Sequence, residues 1–256
     1  MGEPLYRMIA EDLRTKIESG QLPADPGGAL PTEKDLQQSY GASRNTVRDA
    51  IKFLTQLGLI ETRPGQGTFV VEKPTPFVTT LTGNAAGRDH SEDLAEMEGH
   101  GRLATSSDLR VEIQHAIGAV AEDLGLDEGA QVVSRHLQRF IDGIPWSLQR
   151  TYYPMSFVQQ GAARLILPTD IEEGAIHYLA REYSVQQVGY RDTISVRPPE
   201  VDEAWFFKLP PDGRVSVFEI HRVGFDEKGD PMRLTVTVFP ADRSLFRVEV
   251  GKVPIG

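Results

Sequence analysis

The sequence contains no cysteine among its 256 residues. Disulfides, thiolate metal sites and cysteine nucleophiles are therefore excluded. No apolar run approaches the roughly 20 residues that cross a bilayer, so we expect no membrane partner. The first residues are acidic and amphipathic, unlike the basic and then apolar start of a secretory signal peptide. These absences favour a globular cytoplasmic protein without a metal or cofactor.

Positive charge is also scarce, with 27 Lys and Arg against 37 Asp and Glu. A net charge of −10 does not by itself indicate a nucleic-acid partner. The acidity is uneven, however, because residues 1–73 carry nine basic and ten acidic side chains. This first segment is nearly neutral, so any affinity for DNA has to come from clustered cations.

Three amphipathic helices are predicted in the first segment. Leu5, Ile9, Leu13 and Ile17 recur at four-residue spacing, which predicts a helix that ends at Gly20. Residues 22–31 are rich in proline and glycine and read as a loop.

The second and third helices are predicted from their caps. Thr32 is the expected N-cap of a short helix that ends near Tyr40, and Gly41 makes the turn. Ser43 caps a third helix of about 13 residues. Its predicted buried positions are Val47, Ala50, Ile51 and Leu54.

A β-hairpin is predicted next, with strands at 59–63 and 68–71 joined by the Gly-rich turn 64–67.

The third predicted helix carries cations on one side. Arg44, Arg48 and Lys52 recur every four residues, opposite the apolar row, and Asn45 and Thr46 lie in the first turn. For an isolated helix, three cations most often mean a solvated face. The preceding short helix, the Gly turn and the hairpin together favour a helix that enters the major groove of DNA.

The stretch from Leu30 to Val70 resembles the winged helix-turn-helix of the GntR family of bacterial regulators. The resemblance lies in LPTE, SRNTVRDAI, GLI and GQGTFV. It implies a homodimer that binds an inverted-repeat operator in double-stranded DNA and is released by a small molecule. With Asn45 from the pattern above, the expected DNA-binding residues are Lys34, Ser43, Arg44, Asn45, Thr46, Arg48, Arg63, Gln66 and Gly67.

Beyond about residue 105 the pattern predicts an α+β domain. Strands are expected at 109–114, 131–140, 146–153, 188–197, 215–225 and 234–239, and helices at 119–124, 171–183 and 199–208. These elements suggest one largely antiparallel sheet with helices packed on it. The expected organisation is a DNA-binding domain at 1–73, a proline-stiffened linker at 74–84 and a second domain at 85–256.

The second domain is similar to the effector-binding domain of the HutC-type branch, the UTRA domain, which shares a fold with chorismate lyase. The similarity lies in RFIDGIP at 139–145 and FDEKGDP at 225–231. It implies an effector site that includes Arg88, Arg139, Gln149, Arg233 and Phe239. Leu137, Gln149 and Arg233 depart from the usual residues, so we expect an anionic or flatter effector rather than a hexosamine phosphate.

Other interpretations remain open at this stage. Arg135 and Arg139 alternate along one predicted strand and could be exposed side chains paired with the surplus of acids. Trp146 and Trp205–Phe207 read as core residues. An enzyme is disfavoured because the sequence has no G-x-S-x-G motif, no phosphate-binding loop and no paired histidines for a metal. A module that binds protein through its winged helix is the remaining alternative.

Overall fold

A computed structural model of the chain describes residues 4–22, 28–71, 76–81, 102–210 and 213–248. The chain divides into two compact units, Met1–Thr75 and Pro76–Gly256. Every helix within the described ranges is too short or too polar to cross a lipid bilayer.

The first unit contains the three predicted helices and the predicted hairpin. Its elements are α1 (Leu5–Glu18), α2 (Glu33–Tyr40), α3 (Arg44–Gln56), β1 (Ile60–Arg63) and β2 (Gly67–Val70). Both predicted caps are confirmed. The Thr32 hydroxyl accepts from the Asp35 amide at 3.2 Å, and the Asp35 side chain completes a capping box. Gly41 has a φ of 59°, the left-handed conformation that glycine adopts without strain.

The core of the first unit is formed mainly by α1 and α3. Val47, Ala50 and Leu54 are completely buried against α1, as predicted. Ile51 is only partly buried, and Leu5 is 46% exposed although its spacing predicted an inward position. Leu5 lies in the first turn of α1, where fewer neighbours are available to cover it.

The hairpin is fixed to the helices through the segment that precedes α2. The β1–β2 register runs from Ile60↔Val70 to Arg63↔Gly67. The Leu30 amide donates to the Thr68 carbonyl at 2.7 Å, and the Val70 amide donates to the Gly28 carbonyl at 3.0 Å. These bonds give the hairpin a third extended segment, which limits how far its tip can swing.

The second unit is built on a seven-stranded antiparallel sheet. Its strands run β4-β6-β7-β10-β9-β8, and β5 also pairs with β6. The elements of this unit are β3 (Phe77–Thr80), β4 (Ala104–Ser106), β5 (Arg110–His115), α4 (Ala119–Asp123), β6 (Gln131–Ile141), β7 (Ile144–Pro154), α5 (Met155–Gln159), a 3₁₀ turn (Ala163–Ile166), α6 (Ala175–Tyr183), β8 (Gln187–Arg197), α7 (Val201–Phe207), β9 (Val217–Asp226), β10 (Pro231–Pro240) and β11 (Ser244–Arg247). All six predicted strands are present, so the expected fold class is confirmed.

The structure corrects the prediction at several short elements. Residues 77–80 lie in the segment predicted as a linker, but they form β3, which pairs in parallel with β11. Phe77 is 2% exposed and its amide donates to the Arg243 carbonyl at 2.7 Å. β3, β4, β11 and α5 span three to five residues each, too few for a periodic pattern to reveal them.

One predicted helix is shorter than expected. The helix predicted over 171–183 begins only at Ala175, because Ile171–Gly174 is a turn in which the Gly174 amide donates to the Ile171 carbonyl at 2.6 Å.

The register of the sheet divides its side chains between two faces. Arg135, Thr151 and Thr235 are cross-strand partners on one face, which also carries α5, the 3₁₀ turn and α6. We call this the sensor face. The next row, His136, Arg150 and Val236, points to the opposite face, on which α4 and α7 pack.

We predict that Leu54→Ala destabilises the first unit alone. Removing a completely buried leucine costs about 2–5 kcal/mol through lost packing and the cavity left behind. Both tryptophans lie in the second unit, so tryptophan fluorescence follows that unit, whereas circular dichroism at 222 nm reports the helices of both units in the same urea titration. The circular dichroism transition of the first unit should move to lower urea, while the fluorescence transition stays in place.

Leu57→Ala is the matched control, because Leu57 follows α3 and is 46% exposed. Equal effects of the two substitutions would contradict the assignment of Leu54 to the core.

Candidate nucleic-acid interface and effector site

The start of α3 is held by a serine cap. The Ser43 hydroxyl accepts from the Thr46 amide at 3.2 Å and lies 2.8 Å from the Thr46 hydroxyl. This fixes the first turn of α3, from which Arg44, Asn45 and Arg48 project.

Most of the predicted DNA-binding residues are exposed in the first unit. Arg44 and Arg48 are 68% and 61% exposed, and Asn45 in the same turn is also exposed. Exposed positions also include Lys34, Ser43, Arg63, Gln66 and Gly67, whereas Thr46 is half-buried. Lys52 continues the row of cations along α3. Contact of these residues with DNA stays a prediction.

Glu33 bridges Arg44 and Arg48, although the sequence pattern did not assign Glu33 to DNA binding. Glu33 in the first turn of α2 accepts from Arg44 Nε at 3.2 Å and lies 3.3 Å from Arg48 Nε. We call this two-arginine contact the Glu33 fork. The residue spacing within α3 cannot reveal it, because the carboxylate belongs to the preceding helix. A duplex phosphate or a guanine edge would compete with Glu33 for the same guanidinium groups.

The hairpin presents one further cation. The Arg63 guanidinium stacks 4.5 Å from the centre of the Phe69 ring and pairs with Glu61 at 2.6 Å. Gly65 and Gly67 both have positive φ, which allows the tight turn that brings Gln66 to the tip.

Four of the five predicted effector residues lie on described strands, and the register places all four on the sensor face. In the register, Arg139 stands opposite Ser147, Gln149 lies between Leu137 and Thr237, and Arg233 stands opposite Gly224. Phe239 occupies the same face at the end of β10, within an aromatic cluster. Arg88 lies outside the described residues.

A chain of hydrogen bonds crosses the middle of the sensor face. The Gln149 amide donates to the Thr151 hydroxyl at 3.1 Å, and the Thr151 and Thr235 hydroxyls are 3.2 Å apart. Arg233 Nη1 donates to the Thr235 hydroxyl at 3.1 Å, and Arg233 Nε donates to the side-chain oxygen Oε1 of Gln187 at 2.7 Å. The polar groups of three strands are thus held in one orientation.

Arg233 is a buried cation with neutral partners. It is 4% exposed, and among the described residues no carboxylate lies within ion-pair distance of it. Its Nη2 atom is buried and has no hydrogen-bond partner within that part of the chain. Burying a guanidinium with an unsatisfied donor is unfavourable unless an anion or water completes its bonding.

Gly224 makes room for the Arg233 contact. A Cβ at this position would lie 2.1 Å from the Gln187 side-chain oxygen and 3.2 Å from Arg233 Cγ. Only glycine therefore lets Gln187 reach across β9 to orient the guanidinium.

The two arginines of β6 are both buried, so the interpretation of them as exposed strand residues is wrong. Arg139 is 1% exposed and Arg135 is 8% exposed. Arg135 donates to the carbonyls of Leu165, Leu167 and Thr169 at 2.8–3.1 Å. Arg135 thereby fastens the segment after the 3₁₀ turn to the sensor face, and a small cavity of about 60 Å³ remains between them.

Two aromatic predictions have opposite outcomes. Trp146 is 1% exposed and Phe239 is 5% exposed, and their rings pack edge to face at 5.6 Å. Trp205, predicted to be core, is 82% exposed, because the short helix α7 buries Glu203, Phe206 and Phe207 and leaves the side that carries Trp205 uncovered. The predicted effector contact of Phe239 stays a prediction.

The described residues contain no cluster of three or more His, Asp or Glu side chains that could hold a metal ion. The strongest carboxylate perturbation on this face is at Glu173, where Arg164 and Arg181 lower the pKa to about 2. Glu173 accepts from Arg164 Nη1 at 2.7 Å and from Arg181 at 2.8 Å, which connects the 3₁₀ turn to α6. These ion pairs hold structural elements together.

Comparison with known proteins agrees with both halves of this description. The model of the gntR family of bacterial regulatory proteins matches residues 5–70, and the UTRA domain model matches residues 99–244. The chain is 29% identical to the HTH-type transcriptional regulator RB1450 of Rhizobium meliloti, over 97% of this chain and 96% of that protein.

Two further similarities each extend over more than two thirds of the chain. The chain is 27% identical to the HTH-type transcriptional repressor NagR of Bacillus subtilis, over 73% of this chain and 86% of that protein. A crystal structure described as a GntR-family transcriptional regulator aligns with a TM-score of 0.77 at 25% identity and covers 98% of this chain and 99% of the other.

The GntR helix-turn-helix model covers the first unit, and the UTRA model covers more than half of the chain. The relatives found across its length are transcriptional regulators. The chain belongs to the GntR family, in the HutC branch, and is a ligand-responsive transcriptional regulator with a UTRA effector domain.

Proposed function

We propose that this regulator is a repressor that binds an inverted-repeat operator as a homodimer and is released by a small anionic effector. The observation that carries the DNA half of the proposal is the exposed row of Arg44, Arg48 and Lys52 on α3, opposite a completely buried apolar row. The relative NagR is named a repressor, which supports the direction of control.

The first turn of α3 is suited to the major groove. Arg44, Arg48 and Asn45 have the side chains that make bidentate contacts to guanine and adenine edges. Ser43, Thr46 and Lys34 supply hydroxyls and a cation for phosphates, and Arg63, Gln66 and Gly67 bring the hairpin tip to the adjacent backbone.

Dimeric binding follows from the size of the DNA-binding unit. A single module of this kind buries too little surface for tight specific binding. Two copies related by a two-fold axis read two half-sites about one helical turn, roughly 34–36 Å, apart. An inverted-repeat operator has the matching symmetry.

The anionic character of the effector rests on the sensor face. Arg233 is buried, oriented by Gln187 and Thr235, and has a free donor at Nη2 within the described part of the chain. A carboxylate or phosphate would satisfy that donor and compensate the buried charge. Gln149 and Thr151, on the same chain of hydrogen bonds, would bind neutral hydroxyl groups of the ligand.

Effector and DNA binding are coupled if the two ligands prefer different arrangements of the protein. A difference of about 1–3 kcal/mol between those arrangements changes DNA affinity roughly 5- to 150-fold.

Arg48→Ala is expected to weaken operator binding by about 1–3 kcal/mol, because a bidentate base contact is lost. The measurement is fluorescence anisotropy with a duplex selected from a randomised pool by the protein itself. Arg14→Ala is the matched control, since Arg14 is an exposed α1 arginine paired with Glu18 at 2.8 Å. Unchanged affinity of Arg48→Ala at moderate salt would contradict the placement of the recognition surface.

Glu33→Gln is expected to raise affinity for random-sequence duplex and to lower the ratio of specific to random binding. The substitution frees Arg44 and Arg48 from a competing carboxylate and adds one net positive charge to the surface. The effect should be modest, within about 1 kcal/mol, because these ion pairs are exposed. Glu11→Gln on α1 provides the same charge change away from the surface, and an equal response to it would show that only net charge matters.

Arg233→Gln is expected to weaken binding of the effector at least about tenfold, because a charge-assisted hydrogen bond is removed. The measurement is calorimetric titration of the full chain with a panel of sugar phosphates, small carboxylates and neutral sugars. Lys228→Gln removes an exposed cation in the β9–β10 turn and should leave the titrations unchanged. Tighter binding of neutral sugars than of the anions would overturn the proposed effector class.

A further inference from the structure

A cleft of about 770 Å³ lies on the face of the sheet opposite the sensor face. We call it the distal cleft. Its floor is formed by β6, β7 and β10, and its walls by the start of β5 and by α7. Of the predicted effector residues that the structure describes, Gln149 lines it, whereas Arg139, Arg233 and Phe239 do not. Its volume falls within the range of about 300–1,000 Å³ that small-molecule sites occupy.

Basic side chains on three neighbouring strands meet at the floor of the distal cleft. Arg110, His136 and Arg150 are consecutive partners in the register of β5, β6 and β7. Arg110 pairs with Glu112, which also lies 3.7 Å from His136. No described carboxylate lies within ion-pair distance of Arg150, which is exposed to the cleft.

The imidazole between the two arginines is held neutral. Burial and the Arg150 charge lower the pKa of His136 to about 4. His136 Nδ1 can therefore accept from Arg150 Nε, at 3.1 Å, and its Nε2 lies 2.9 Å from the Ser134 hydroxyl. Arg150 thus has a neutral partner that fixes its direction without cancelling its charge.

Apolar side chains adjoin this cation. Leu148, Val236, Val238 and Phe206 line the distal cleft beside Arg150. Trp205, 82% exposed, stands at the α7 wall. Tryptophans are enriched in binding sites because they combine a large apolar surface with one hydrogen-bond donor.

Most acidic groups that line the distal cleft belong to α7, its N-cap and β9, while Asp108 lies just before β5. Glu203 and Glu219 are both bound by Arg197 at 2.6 Å. Glu200 and Asp202 lie at the start of α7. A ligand with a single negative charge is therefore expected to place that charge on the β6–β7 side.

We propose that the distal cleft is a second small-molecule site, which binds a carboxylate carried on an apolar ring. The carboxylate binds Arg150, and the ring packs on Leu148, Val236 and Phe206 next to Trp205. Its charged residue, Arg150, lies on the opposite face of the sheet from Arg233, so this proposal does not depend on the identity of the effector that binds Arg233.

The two tryptophans make the proposal testable in the full-length protein. Trp146 is 1% exposed, so changes in accessible tryptophan emission report on Trp205. The probe is benzoate, and benzamide is its uncharged counterpart. We expect a saturable change in emission with benzoate, and binding of benzamide that is weaker by about tenfold or more because the charge-assisted hydrogen bond is missing.

Variants separate the distal cleft from the sensor face. Arg150→Gln should weaken benzoate binding about tenfold or more, and Arg150→Lys should retain part of it. Lys228→Gln, which removes an exposed cation elsewhere, and Arg233→Gln on the sensor face should both leave the titration unchanged. Loss of benzoate binding in Arg233→Gln but not in Arg150→Gln would overturn the second site and leave the effector proposal standing.

Two further outcomes would also overturn the proposal. One is a tryptophan emission that changes linearly with benzoate concentration, does not saturate and is the same in Arg150→Gln. Such a change indicates collisional quenching. The other is protection of Trp205 from acrylamide in concentrated protein that is lost on dilution, which indicates that this face contacts a second copy of the chain. Melting temperatures of all variants near that of the parent chain verify that each one is folded.

Discussion

The antiparallel register of β6, β7, β10 and β9 is the constraint on which the second unit depends. Side chains alternate between the faces of a strand, so a slip of one residue would exchange the two faces completely. In the observed register, Arg135, Thr151 and Thr235 share one row and His136, Arg150 and Val236 share the next. Two surfaces of different chemistry are thereby built from neighbouring residues of the same strands.

The two faces use arginine in different ways. On the sensor face Arg135 donates to backbone carbonyls and so has a structural role. Arg233, by contrast, is oriented by neutral side chains and retains one buried donor. On the opposite face Arg197 is neutralised by two glutamates, while Arg150 is directed by a neutral imidazole. Whether an arginine can bind a ligand therefore depends on its partners and not on its burial alone.

The first unit shows a comparable division between support and recognition. The apolar row of α3 is completely buried, and this fixes the rotation of the helix about its axis. The opposite row must then face outward with Arg44 and Arg48, which Glu33 holds in a common fork. Glu33 lies on α2, so the same helix that supports α3 also limits the charge that α3 presents.

The sequence by itself determined the local architecture. Periodic apolar residues, the Thr32 and Ser43 caps and the Gly41 turn specified the helices of the first unit, because each signal lies within a few residues of the element it defines. Long alternating strands were predicted for the same reason. Tertiary structure alone decided the pairing of β3 with β11, the Glu33 fork, the exposure of Trp205 and the partners of Arg135, Arg150 and Arg233. All of these depend on contacts between segments distant in the chain or on which side of a short helix is covered, and no local pattern encodes them.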